Sequence, residues 1–224
     1  MSNSARLLIK IPSRERPQYL LQVVRRFSDL CADPLNTQIV ISADDDDRTM
    51  TPELERQLKD QRIALEVCRA PRTTKIGAMN RDLFAAGEWD IVMAASDDMF
   101  PEQDRFDAII REDMATWFPT GDGCLWYYDG RQHRLCTMSI MHRLYYERMG
   151  HIYHPGYRSY RCDDEYTERA MGACKMIRFN LVLCRDEHPQ WRGAVPDDDL
   201  YERNRKDKQH DLDLYTTRKA LGWP

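Results

Sequence analysis

The chain has 224 residues, 42% of them hydrophobic and 31% charged, enough for a sizeable core and ordinary for a soluble globular domain. Its formal net charge of −4 gives no electrostatic basis for a grip on nucleic acid or anionic lipid. No apolar run approaches the roughly 18–20 residues needed to span a bilayer. The amino end, MSNSARLLIKIPSR, has neither the apolar length nor the cleavage pattern of a signal peptide. Seven cysteines, at 31, 68, 124, 136, 162, 174 and 184, are odd in number and never form a C-x-x-C pair. They suit reduced thiols in the cytoplasm and argue against a zinc ribbon or disulfide scaffold.

The first half alternates strand and helix signals. Residues 7–11 form an apolar strand. Pro17 then opens a helix whose Leu20, Leu21, Val23, Val24, Phe27 and Leu30 lie on one stripe. Residues 38–42 make a second strand ending in the acidic run Asp44 to Asp47. Thr51 and Pro52 suit the N-cap and first turn of a helix running to about Asp60. A third strand at 63–68 and a helix over about 76–86 follow. Ile91 to Ala95 is a short apolar run between Gly87 and Pro101, the pattern of a strand buried on both faces. Residues 101–117 read as helix. This order predicts a mostly parallel sheet covered by helices.

The second half is richer in Tyr, Trp, His and Arg. Short strands are expected around 124–128 and 135–139, an irregular stretch over 150–161, and a charged tail from Asp197 with helix around 211–220. No repeat, low-complexity segment or linker divides the chain.

Two acidic clusters carry chemistry. Ser96, Asp97 and Asp98 end the fourth strand, where a parallel α/β sheet keeps its ligands. Adjacent carboxylates repel, so a cation or a hydrogen-bond network must compensate them, and a hard divalent ion carrying phosphate can do so. A solvated turn before a helix is the plainer alternative. Asp163, Asp164 and Glu165 are three acids in succession, and crowding of like charge raises at least one pKa toward useful basicity. An acidic helix N-terminus stabilised by the macrodipole has the same pattern.

Taken in order, several motifs line up: Ile11-Pro12-Ser13-Arg14, Ser42-Ala43-Asp44-Asp45-Asp46-Asp47, Lys75-Ile76-Gly77-Ala78-Met79-Asn80-Arg81, Ser96-Asp97-Asp98, and Cys162-Asp163-Asp164-Glu165-Tyr166-Thr167-Glu168-Arg169-Ala170, followed by His188-Pro189. Over roughly residues 5–190 this series resembles the GT-A nucleotide-sugar glycosyltransferases, specifically the inverting family-2-like group. The resemblance implies an α/β fold of GT-A type, Rossmann-like, with a mostly parallel sheet flanked by helices and an irregular acceptor-facing C-terminal half. It implies one domain over 1–224, with a nucleotide-binding half to about 120, an acceptor and catalytic half over 121–196, and the tail beyond.

Residue by residue, the resemblance implies that Pro12, Ser13 and Arg14 line a nucleotide pocket. Asp44 would accept a hydrogen bond from the base, usually uracil, and Arg14 would balance a diphosphate. Lys75, Gly77 and Asn80 would meet the nucleotide sugar. Ser96 and Asp97 would lie beside it, Ser96 standing where the family's D-x-D motif has its first acid. Asp98 would bind a metal, Mn²⁺ or Mg²⁺, and His188 would complete the site, imidazole favouring manganese. Asp163, with Asp164 close behind, would be the base that activates the acceptor hydroxyl. Aromatic residues at 126–128, with Asp129, would suit stacking on sugar rings or, equally, core packing.

The function so implied is metal-dependent, inverting, hexosyltransferase-like transfer from a nucleotide-sugar, with UDP the expected nucleotide. The acceptor is open among saccharide, lipid-linked glycan, protein and modified nucleic-acid base. Two rivals stand beside it. A sugar-nucleotide nucleotidyltransferase would share the sheet, but residues 11–17 contain none of the glycines expected of its phosphate loop. A non-catalytic GT-A-like binding module would be consistent with Ser96.

Overall fold

The computed structural model describes residues 5–187 and 206–224. β1 (Leu7–Pro12) is buried at all six positions, as a central strand requires. Arg16 and Pro17 lead into α1 (Pro17–Leu30), whose apolar stripe covers one sheet face. β2 (Thr37–Asp44) returns parallel to β1, pairing Thr37 with Leu7. Thr51 caps α2 (Pro52–Lys59), its hydroxyl accepting from the Leu54 amide at 3.2 Å. β3 (Ala64–Ala70) is the parallel edge beyond β2. After α3 (Lys75–Asn80), β4 (Ile91–Ala94) lies parallel on the other side of β1.

Beyond β4 the chain reverses direction. β5 (Met99–Pro101) precedes α4 (Phe106–Trp117), and β6 (Cys124–Tyr128) follows. β7 (Ile140–His142) runs antiparallel to both β4 and β6. Then come α5 (Arg143–Met149), α6 (Cys162–Gly172), β8 (Met176–Val182), β9 (Cys184–Asp186) and α7 (Lys208–Ala220). The sheet has seven strands in the order β3-β2-β1-β4-β7-β6-β8, and β5 pairs with β9 in a separate two-stranded ribbon. The expected α/β class with a mostly parallel, helix-flanked sheet is what the chain adopts.

Several boundaries differ from the sequence expectation, each for a local reason. α3 stops at Asn80 rather than near 86, because Asp82 takes a positive φ of 65° and turns its carboxylate onto the Ser42 hydroxyl. Pro101 closes β5 instead of opening a helix. It has no N–H to donate, and it sits at the end of a short strand where that loss is tolerated. Residues 135–139 form a loop, and the strand falls at 140–142. β8 was not anticipated; it is an edge strand whose alternation M-I-R-F-N-L-V gives only partial burial.

Alternate residues of the central strands feed two cores. Leu7, Ile9 and Ile11 pack with α1, α2 and α4, while Leu8, Val40 and Val92 pack with α3, α5 and α6. Lys10 points to the second face and is wholly buried, donating to Ser42 Oγ. Burial pulls its pKa down to about 7, partly offset by the nearby Asp82 charge.

α7 docks on α6. Arg218 donates through Nε and Nη2 to the two oxygens of Glu165, both at 2.8 Å. The buried carboxylate of Asp211 accepts from the backbone amides of Arg158, Ser159 and Tyr160 at 2.9, 2.8 and 2.7 Å. Those bonds satisfy donors that the irregular 150–161 stretch could not pair within itself.

Candidate functional site

The carboxyl ends of β1, β2 and β4 open into a cleft of about 710 Å³. Pro12, Ser13, Arg14 and Arg16 line it from β1 and the start of α1, Ser42 and Asp44 from β2, and Ser96, Asp97 and Asp98 from β4. Residues 72–75 and, from the far end of the chain, Lys206 and Asp207 supply the remaining wall. This is the position at which an open α/β sheet binds ligands.

At the tip of β2 the acidic run is structured rather than loosely solvated. Arg14 Nη1 donates to Asp44 Oδ2 at 2.9 Å and also reaches Asp46, while Arg81 lies 3.6 Å from the other Asp44 oxygen. Asp47 is buried and accepts from the Glu15 amide at 3.0 Å and from Thr49. The hydrogen bond from Arg14 holds the Asp46 carboxyl below its ordinary range. Arg14 is therefore engaged with the acidic loop; the charge expected to face a diphosphate is paired with Asp44 and Asp46 at the tip of β2.

At the tip of β4, Ser13 Oγ donates to Asp97 Oδ2 at 2.8 Å. One guanidinium nitrogen, Arg16 Nη1, donates to Asp97 Oδ1 at 3.1 Å and to Asp98 Oδ2 at 3.2 Å. Burial first, and then repulsion from Asp98, push the Asp97 carboxyl up to about 6 despite these bonds. The oxygens of this pair are the hard donors that Mn²⁺ or Mg²⁺ would use. Arg16 already bridges them, so in this arrangement the pair does not fit a divalent ion unless Arg16 is displaced. Among the described residues no group of three or more His, Cys, Asp or Glu side chains is arranged to hold a metal. His188 lies outside the described residues.

Lys75 and Ser96 also border a second, smaller cavity of about 70 Å³, whose wall includes Thr137, Tyr153, Ser159 and Asp163. Asp163 lines that cavity and is half-buried, and desolvation followed by the neighbouring Asp164 charge raises its pKa to about 6, with Lys75 opposing. The other two acids are turned to different work. Asp164 pairs with Arg134 at 2.8 Å and Arg161 at 3.3 Å. Glu165 takes Arg218, Arg169 and the Tyr157 hydroxyl. Of the three, Asp163 faces the shared cavity.

No family model matches the sequence, and no curated protein matches it either. Solved structures do. The mannosyltransferase PcManGT from Pyrobaculum calidifontis, in complex with GDP-Man and Mn²⁺, superposes with a TM-score of 0.65 at 15% identity, over 84% of this chain and 58% of that one. S. aureus TarS, residues 1–349, gives 0.63 at 10% identity, over 83% and 61%. The same TarS segment in complex with UDP gives 0.60 at 11% identity, over 78% and 57%. The chain has a GT-A-type fold. It spans about three fifths of the length of those solved chains.

On the GT-A frame the remaining expected site residues fall as follows. Gly77 does not line the cleft. A Cβ there would come within 2.4 Å of Thr73 Oγ1, and the Gly77 amide donates to the Thr74 cap, so the glycine serves the tight start of α3. Asn80 is turned away from the cleft too. Its amide donates to the Tyr153 carbonyl at 2.6 Å and accepts from the amides of Ile152 and Tyr153 at 3.0 and 3.1 Å. It tethers the irregular stretch to α3. Asp129 is consumed by its own turn, accepting from Arg131, Gln132 and Thr137. Trp126 and Tyr127 are core residues, and Tyr128 stacks on His133 at 3.9 Å.

Arg16, Ser42, Arg72 and Lys206 also line the cleft but were not singled out in the sequence. Arg16 stands just before Pro17, at the N-cap of a helix entered from a strand tip, and that position is the signal that could have marked it. Lys206 arrives by tertiary contact alone. Among the described residues no helix is long and apolar enough to cross a membrane.

Proposed function

We propose that this protein is a glycosyltransferase that takes a sugar from a nucleoside-diphosphate donor and passes it, with inversion, to an acceptor hydroxyl. One observation carries the reading: the cleft at the strand tips and the cavity holding Asp163 share Lys75 and Ser96 as a common wall. A donor in the cleft would thus present its sugar toward a carboxylate whose raised pKa suits a general base.

In this reading the whole chain acts as one unit, donor side first and acceptor side after about residue 120. Ser42 and Asp44 offer acceptor atoms to an N–H of the base, which uracil and guanine both possess, and UDP is the nucleotide to test first. Pro12 and Ser13 form the floor under the nucleoside. Arg72, Lys75 and Lys206 give the phosphate end a cationic wall. Asp163 takes the proton of the acceptor hydroxyl as its oxygen attacks the anomeric carbon. The carbon–oxygen bond to the diphosphate breaks, and the cationic wall stabilises the charge that gathers on the leaving group. A divalent cation would add Lewis-acid charge stabilisation there only after displacing Arg16. The solved GT-A neighbours complexed with GDP-Man or UDP support a nucleotide-sugar donor.

Calorimetric titration with UDP, GDP and CDP, each with and without Mn²⁺, tests the donor site. Binding of one nucleotide, followed by its sugar conjugate being consumed with acceptor present, is expected. A folded protein that binds none of the three refutes the reading.

A further inference from the structure

The cation that Asp97 and Asp98 require is already part of the chain. Arg16 is 8% exposed and sits at the N-cap of α1. Pro17 fixes φ at the first helical position, and the Arg16 carbonyl accepts from the Leu20 amide at 3.0 Å, so the backbone of Arg16 is tied to the helix. From that anchor its side chain reaches the tip of β4 and places a single Nη1 between two carboxylates, at 3.1 and 3.2 Å. Ser13 takes a further oxygen of Asp97 at 2.8 Å. The guanidinium offsets the repulsion between adjacent acids in a site where water screens little.

A divalent ion on the same oxygens would stand only a few ångströms from this guanidinium. Two like-charged cations so close, with burial on both sides, compete for one position. Deleting the arginine charge removes the compensation that this contact gives two buried carboxylates, which favours uptake of a metal or a proton in its place.

We propose that Arg16 is a resident counter-cation of the Asp97–Asp98 pair and that it keeps a divalent metal out of the ligand-free protein. The place of this device in catalysis rests on the donor-site reading above, whereas the competition between the two cations does not. Arg16 thereby sets the metal dependence of the site: metal enters only where something else, such as an incoming diphosphate, draws the guanidinium away.

The test is uptake of Mn²⁺ by the full chain without nucleotide, followed by electron paramagnetic resonance of the free ion. Wild type is expected to leave millimolar Mn²⁺ free. Arg16→Met is expected to bind one Mn²⁺ at least tenfold more tightly, to melt at higher temperature when Mn²⁺ is added, and to lose both gains when Asp98→Asn is combined with it. Arg16→Gln, which removes the charge but keeps a hydrogen-bonding head, gives the same comparison if the Met variant does not fold. Wild type binding Mn²⁺ as tightly as the charge-free variants, through a site sensitive to Asp98→Asn, overturns the proposal. Nucleotide titrations of the same proteins separate the two readings. Gain of Mn²⁺ uptake with no nucleotide bound by wild type supports the role of Arg16 and removes the donor site. Nucleotide bound by wild type with no gain in the variants does the reverse.

Discussion

Asp163→Asn should make the protein more stable and its chemistry worse, and the size of both effects follows from one carboxylate. Asp163 goes from an ordinary value of 3.8 in the unfolded chain to about 6 in the folded one. Below pH 3.8 both states are protonated and the residue costs nothing. As pH rises from there the unfolded state ionises first, so stability falls until the folded carboxyl also ionises near 6. At about 1.4 kcal/mol per unit the full cost above pH 7 is about 3 kcal/mol, and partial access of water lowers it to roughly half. Asparagine escapes this cost and keeps the Oδ1 that accepts from the Asp164 amide at 3.0 Å. Urea unfolding at pH 7.5 and pH 4.5 should therefore show the variant about 1.5–3 kcal/mol more stable at the higher pH and by roughly a third of that at the lower. Transfer should drop by about 10²–10⁴, the worth of a general base, with donor binding unchanged. In wild type, kcat/KM should rise tenfold per unit of pH below about 6 and level off above it. An asparagine variant that is no more stable at pH 7.5, or that transfers at the wild-type rate, refutes the assignment.

Asn80→Ala deletes three hydrogen bonds to residues 152–153 and should cost about 2–3 kcal/mol in urea unfolding while leaving nucleotide affinity within a few-fold; a large loss of affinity without loss of stability would return Asn80 to the ligand site. Arg218→Met leaves Glu165 without its bidentate partner and should destabilise by about 3 kcal/mol near neutral pH. Burial works to raise the Glu165 carboxyl, yet Arg218 and Tyr157 hold it below its ordinary value of 4.5, so the deficit should shrink as pH falls below that value. A deficit constant down to pH 3 would mean packing, not charge, is lost. Lys10→Met removes an amine that burial pulls from 10.5 to about 7. The folded state of wild type must hold that proton at a cost below pH 7, so the variant's melting temperature should exceed wild type at pH 6.5, by an amount equivalent to roughly 2–4 kcal/mol, and the gap should narrow toward pH 9.5. Equal melting at both values would show that Lys10 is compensated by Ser42 and Asp82.

What could be read from the residues divides near Pro101. Up to that point β1, β2 and β4 are short apolar runs ending near polar residues, and α1 and α2 carry a stripe or a proline at the first turn, so local pattern and global topology agree. The strand tips therefore delivered Pro12, Ser13, Asp44, Ser96 and the acids Asp97 and Asp98 to one cleft. Beyond it the information is non-local. β7 reverses direction through only three residues, too few for periodicity to register. β8 is an edge whose apolar positions are only half covered. Before it too, Gly77 and Asn80 stand at the spacing expected of ligand-facing residues, yet Thr73, just outside the motif, and Tyr153, far from it in sequence, decide what they do. Which of three adjacent acids faces a cavity is likewise settled by arginines at 134, 161, 169 and 218, of which only Arg169 lies within the motif.

The docking of α7 on α6 has a consequence in time. Glu165 and Arg218 are 53 residues apart, and Asp211 follows the amides it caps by about as much. A chain emerging from the ribosome can bring the tips of β1, β2 and β4 together once residue 98 is out, using parallel pairings whose residues are all in hand. The turn that carries Asp163 must wait, its flanking amides solvated and Glu165 held by Arg169 without its bidentate partner, until residue 218 has followed. The strand-tip part of the cleft can thus form early, whereas its Lys206–Asp207 wall and the anchored turn of Asp163 both wait for the last helix.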